Sequence, residues 1–155
     1  MTDTILHDLG ISPGQQVNKQ ELDNLLSKID PGSNQLVSSL YLKPGDHSSF
    51  MGTKDPVQLP WMERLATLDR KILESETGLI GLRTGGQALI ILPPFPLTHA
   101  GLSDTWNLLP LQYLLQSPYN VGVVLLRLGR FAVAVYEGDH LVSSKTDTRY
   151  VKGRH

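Results

Sequence analysis

The 155 residues suffice for one ordinary domain or two small ones sharing an interface. With 40% apolar and 19% charged residues the composition is that of a globular chain, which excludes a disordered polymer. A net charge of −1 gives no global sign of a nucleic-acid binder, and the absence of cysteine excludes disulfides and thiolate chemistry.

The first ten residues, MTDTILHDLG, have no basic region leading into an apolar stretch, so no secretory signal is expected. No uncharged apolar run reaches the roughly eighteen residues that a membrane span needs. These features fit a cytoplasmic protein. No internal repeat and no low-complexity tract is present.

In chain order, NKQELDNLLSKI (18–29) places Leu22, Leu25, Leu26 and Ile29 at helical spacing, with Asn18 and Glu21 set for a capping box. Asp30-Pro31-Gly32 ends that helix. LVSSLYL (36–42) predicts a short strand closed by Lys43-Pro44-Gly45, and the Pro-, Gly-, Ser- and Asp-rich stretch from Gly45 to Pro60 predicts a long loop. A second helix is expected from Pro60 to about Glu76, with Trp61, Leu65, Leu68 and Ile72 as its apolar stripe.

GLIGL (78–82) and ALIIL (88–92), separated by Arg83-Thr84-Gly85-Gly86-Gln87, predict a β-hairpin. Pro93-Pro94-Phe95-Pro96 stops the second strand, because proline cannot donate to a ladder. That proline cluster marks a seam between residues 1–96 and 97–155. Beyond it, WNLLPLQYLLQ (106–116) predicts a helix with Leu111, Leu114 and Leu115 inward, ended by Ser117-Pro118-Tyr119-Asn120. Three strands follow, VGVVLLRL (121–128), RFAVAVYEG (130–138) and HLVSSKTDTRY (140–150), joined by turns at Leu128-Gly129-Arg130 and Gly138-Asp139. In the middle one apolar residues occupy both alternating sets, so burial on both faces is expected.

Charge is concentrated at the end. Lys145, Arg149, Lys152 and Arg154 against Asp147 give a local +3 before His155 is counted. A basic terminus by itself reads as a solvated, frayed tail. Arg127 and Arg130 flank the first meander turn, where they either extend the basic surface or are ordinary exposed turn residues.

The order helix, Ser-Pro, strand, short turn, strand, turn, strand, basic tail resembles the middle domain of the eukaryotic and archaeal class-1 peptide chain release factors. It is more closely similar to their relatives in ribosome quality control, the release-factor-like tRNA hydrolases, and to the bacterial counterparts of these. The residues carrying the resemblance are Pro110-Leu111, Leu114-Leu115, Tyr119 with Val121-Gly122-Val123-Val124, Arg130-Phe131-Ala132, Gly138, and Thr148-Arg149-Tyr150-Val151-Lys152-Gly153-Arg154-His155. It covers Leu92 to His155, with a weaker echo at VSSLYLKPG (37–45).

The resemblance implies an α/β (α+β) chain: an N-terminal helix/strand recognition or docking module (1–96), then the first part of a ribonuclease-H-like mixed sheet opening with an antiparallel meander (97–155). It implies hydrolysis of the ester between nascent peptide and tRNA, performed in the family by a glycine-rich loop with a glutamine. The loop glycines let backbone thread into the peptidyl-transferase centre, and the glutamine positions water and stabilises the oxyanion. That loop is expected after His155, so no catalytic residue is assigned within these residues. Lys145, Arg149, Lys152, Arg154 and His155 are the implied RNA-binding residues, with the large ribosomal subunit, rRNA and peptidyl-tRNA as partners. No cofactor, metal, membrane or DNA is implied.

Gly85-Gly86-Gln87 reproduces the tripeptide that release factors use, but it lies between two strand-forming runs and precedes the meander. A hairpin turn is therefore the better reading. The five histidines show no metal-ligand spacing, with Asp139-His140 read as a solvated turn pair. There is no Gly-x-Ser-x-Gly elbow, no phosphate-binding loop and no dinucleotide fingerprint. Trp61 and Trp106 lie on apolar helix faces and are expected in cores. Two other classes stay open: a non-catalytic ribosome- or RNA-binding adaptor, and a protein-interaction module with an incidental basic tail.

Overall fold

The computed structural model describes residues 14–28, 37–53, 55–84 and 87–148. The fold is mixed α+β with antiparallel sheets, in two compact units, Met1–Leu115 and Gln116–His155. Beyond the Pro93–Pro96 cluster, Gly101–Ser103 forms a strand that returns to the sheet of the first unit.

In the first unit helix α1 (Lys19–Lys28) opens with the expected capping box. The Asn18 side chain accepts from the Glu21 N–H at 2.9 Å, and the Glu21 carboxylate accepts from the Asn18 N–H at 2.8 Å. Leu22, Leu25 and Leu26 are buried, as their spacing predicts; Ile29 and the Asp30-Pro31-Gly32 stop lie outside the described residues.

Strands β1 (Val37–Leu42), β2 (Leu79–Thr84), β3 (Gln87–Ile91) and β4 (Gly101–Ser103) form a sheet in the order β3-β2-β1-β4. Its register sets Leu42 opposite Leu79, Leu40 opposite Gly81 and Leu102, and Gly81 opposite Ile90, which puts these residues on one face. Trp61 and Leu65 close over that face, with Phe50, Met51, Leu68 and Ile72 around them.

Two expectations need correction here. The stretch from Gly45 to Pro60 is not all loop: it contains helix α2 (His47–Met51), whose Phe50 and Met51 pack on the core. The single helix expected over 60–76 is two, α3 (Leu59–Leu65) and α4 (Arg70–Leu73). The break has local causes. The Thr67 hydroxyl donates to the Arg64 carbonyl at 2.7 Å, and Asp69, in extended conformation, caps α4 by accepting from the Lys71 N–H at 2.8 Å. Leu68 and Ile72 still reach the core from either side of it.

The other face of β1 carries Ser39 and Tyr41, both buried. Ser39 Oγ donates to the Thr105 carbonyl (2.9 Å) and accepts from the Asn107 N–H (3.1 Å), while Tyr41 Oη donates to the Asn107 carbonyl (2.6 Å). Trp106 Nε1 donates to the Arg83 carbonyl at 2.7 Å. The segment leading into helix α5 (Leu109–Gln116) is thus pinned to the sheet by polar groups of β1 and β2. That pinning delays the helix to Leu109, later than the Trp106 expected, and Leu111 and Leu114 are buried.

Candidate nucleic-acid interface

The second unit is a three-stranded antiparallel meander, β5 (Asn120–Arg127), β6 (Arg130–Glu137) and β7 (His140–Thr148), in that spatial order. β-Branched and aromatic residues favour these strands, and glycines make the reversals. Gly129 (φ 72°) and Gly138 (φ 57°) adopt the left-handed region at the two turns, and the Gly138 N–H donates to the Tyr119 carbonyl at 2.9 Å.

Residues directly opposite in a ladder share a face. One face carries the rows Gly122–Val135–Ser143, Val124–Val133–Lys145 and Leu126–Phe131–Asp147. The other carries Val121–Tyr136–Leu141, Val123–Ala134–Ser144, Leu125–Ala132–Thr146 and Arg127–Arg130–Thr148. A bulge at Val142, where β7 carries one residue more than β6, keeps the alternation in step on both sides of it.

Both faces are therefore apolar along their middle, as the alternation in the second strand predicts, yet burial is incomplete. Phe131, Ala132, Val133, Ala134 and Tyr136 of β6 are half-buried and Val135 is exposed, while Val124, Leu125 and Leu126 are 62%, 64% and 79% exposed. Ser143 and Ser144 are exposed within β7.

Charge is split between the two ends of this sheet. Glu137 and Asp139 lie at the end formed by the β6–β7 turn, while Arg127 and Arg130 face each other at the β5–β6 turn. β7 runs from the acidic end to the basic one and reaches Thr148, the ladder partner of Arg130. Of the residues that the sequence points to for RNA binding, Lys145 is exposed on β7, opposite Val133. Arg149, Lys152, Arg154 and His155 lie outside the described residues. Lys145 and the arginine pair occupy opposite faces. That separation is invisible in sequence until the ladder register is known.

Other candidates resolve into structure. Thr84 pairs with Gln87 across β2 and β3, so Gly85-Gly86, themselves outside the described residues, join two strands of the first sheet. Trp61 is buried in the core and Trp106 is half-buried against β2. Among the described residues no His, Cys, Asp or Glu cluster has the geometry of a metal site, and no helix is long and apolar enough to cross a membrane. Burial pushes the Tyr41 pKa up to about 12, offset in part by a backbone hydrogen bond of Leu111. It belongs to the packing of β1 and carries no site chemistry.

With this geometry in place, residues 119–155 match the family described as Actinobacteria/chloroflexi VLRF1 release factor, so this segment, meander and basic end together, is release-factor-like. No curated protein matches the chain. Among solved structures it is similar to an archaeal protein at 16% identity, covering 89% of this chain and 47% of that one, with a TM-score of 0.45. A second is archaeal translation termination factor aRF1, at 15% identity, covering 83% of this chain and 44% of that one, with a TM-score of 0.46. The chain spans less than half the length of either.

Proposed function

We propose that this chain is the N-terminal portion of a release-factor-like peptidyl-tRNA hydrolase that cleaves the ester between nascent peptide and tRNA on stalled large ribosomal subunits. The observation that carries this reading is the family match over 119–155, which spans the meander together with the basic sequence following it. In this reading residues 1–96 are a recognition or docking module and 97–155 open the catalytic domain. A ribonuclease-H-like sheet explains why apolar side chains stand on both faces of the meander, since a sheet with layers on both sides needs two apolar faces. The protein works in the cytoplasm, where ribosomes are.

Chemically, the part played by these residues is to hold and orient. Lys145, Arg149, Lys152, Arg154 and His155 neutralise rRNA and tRNA phosphates, releasing counterions and making affinity fall steeply with salt. The ester-cleaving step belongs to a glycine-rich loop beyond them, whose glutamine would position water and stabilise the developing oxyanion.

The test is co-sedimentation of the chain with large ribosomal subunits over a salt series. Pelleting at 50 mM salt that weakens by orders of magnitude toward 200 mM is the expected result, following the counterion-release slope for several phosphate contacts. A chain that stays in the supernatant at every salt concentration is a module indifferent to ribosomes, and the proposal falls.

A further inference from the structure

We infer that the tip of the β5–β6 hairpin is a phosphate grip for RNA, formed by Arg127 and Arg130 with the Thr148 hydroxyl beside them. The inference rests on the ribosome-directed reading above and adds a contact to it.

Arg127 and Arg130 are ladder partners at the mouth of a two-residue turn, so their side chains leave the same face from adjacent strands. Cβ atoms of such partners stand about 5 Å apart, and like charges placed so are unfavourable unless an anion lies between them. Both are exposed, and neither is among the ion pairs of the described residues, which are Lys43–Asp46 and Arg70–Glu74. The nearest carboxylate in the ladder, Asp147, belongs to the opposite face and accepts from the Thr148 N–H at 2.7 Å. Two guanidinium forks held side by side match the oxygens of a phosphate in a way that a single flexible cation does not.

Two further features favour RNA over an acidic protein. Leu128, between the arginines, is 91% exposed at the tip, an apolar knob suited to the face of a ribose or base. Thr148 stands beside Arg130 in the ladder, and the most basic stretch of the sequence, 149–155, follows it directly. The acidic pair Glu137 and Asp139 lies at the far end, where a polyanion is not to be held.

The experiment measures binding of the chain to isolated large ribosomal subunits, to a labelled RNA stem-loop and to poly-glutamate from 50 to 200 mM salt. It compares wild type with Arg127→Gln/Arg130→Gln, with Arg127→Lys/Arg130→Lys, and with Arg70→Gln as a control in the first unit. The double Gln variant should lose at least tenfold in affinity for both RNA targets at low salt, with the salt slope smaller by about 1 to 2. The double Lys variant, which keeps charge and loses the forks, should fall between, and Arg70→Gln should match wild type. Circular dichroism and melting should show the Gln variant folded, since it removes a like-charge pair; if it is unfolded, the Lys variant carries the comparison.

Wild-type subunit binding with an unchanged slope in both arginine variants overturns the grip and leaves the release-factor reading standing. Stem-loop binding that depends on the arginines, without binding to subunits, keeps the grip and overturns that reading. Binding to neither overturns both. Equal losses on poly-glutamate and RNA reduce the pair to a general polyanion contact and overturn its assignment to RNA.

Discussion

Gly81 lies directly beneath the Trp61 ring, so close that a methyl group on Gly81 would overlap ring carbons. The φ angle of Gly81 is not in the left-handed region, so its demand for glycine is steric. The ring cannot readily slide aside, because Trp61 Nε1 donates to Ser38 Oγ at 3.1 Å and the side chain is 1% exposed. Gly81→Ala should cost about 1–3 kcal/mol, the ordinary range for overpacking. A thermal melt followed by tryptophan fluorescence checks it; an unchanged Tm would mean that the helix carrying Trp61 shifts freely.

Ser39 joins β1 to the segment before α5 through one hydroxyl that both donates and accepts. Ser39→Ala leaves the Asn107 N–H and the Thr105 carbonyl without that partner beside a residue that is 0% exposed. Leaving such groups unpaired should lower stability by about 1–3 kcal/mol in urea unfolding. A neutral result would show that water replaces the hydroxyl.

Tyr41 predicts a pH dependence with a definite sign. Its folded pKa is pushed up to about 12 from an ordinary 10.0, so the folded state favours the neutral phenol. Between pH 10 and 12 the unfolded chain releases this proton while the folded one keeps it. Stability is therefore fully present below about pH 10 and is lost as pH rises through 12. Tyr41→Phe should remove that component of alkaline destabilisation while weakening the protein at pH 7 through loss of the bond to Asn107. Parallel alkaline profiles for the two proteins would count against it.

Gln87 offers a sharp negative. The hairpin pairs Thr84 with Gln87 in the first sheet, remote in sequence from the release-factor-like segment. In the proposed full-length hydrolase Gln87→Ala should retain peptide release within about twofold, a difference worth under about 0.5 kcal/mol in the barrier. Release falling to the spontaneous rate would make this hairpin the catalytic loop.

The capping box makes a smaller prediction. Asn18→Ala removes the acceptor of the Glu21 N–H and should cost roughly 0.5–2 kcal/mol, read as reduced helicity and amide protection in α1. Glu21→Ala should produce part of the same loss, through the reciprocal bond to the Asn18 N–H. Full protection in both variants would show that tertiary packing alone holds the helix start.

Much of the local chemistry was legible in sequence. The Asn18/Glu21 box, the β2–β3 hairpin, the proline stop after β3 and the three strands of the meander each follow from capping groups, alternation or turn glycines acting within a few residues. The release-factor-like character of 119–155 was legible too, because an ordered series of such local features carries it. Two things were decided only by tertiary structure, and one by local bonds that the apolar spacing conceals. Gly101–Ser103 is too short to announce a strand and becomes one because β1 has an open edge to pair with. The 60–76 helix breaks for a local reason instead: Thr67 and Asp69 satisfy backbone groups that a continuous helix would have paired. The basic residues sort onto two faces because a ladder's register, and the bulge at Val142 that adjusts it, determine which side each residue takes. Composition counts those charges; only the pairing of strands sets Arg127 against Arg130 and turns Lys145 away from them.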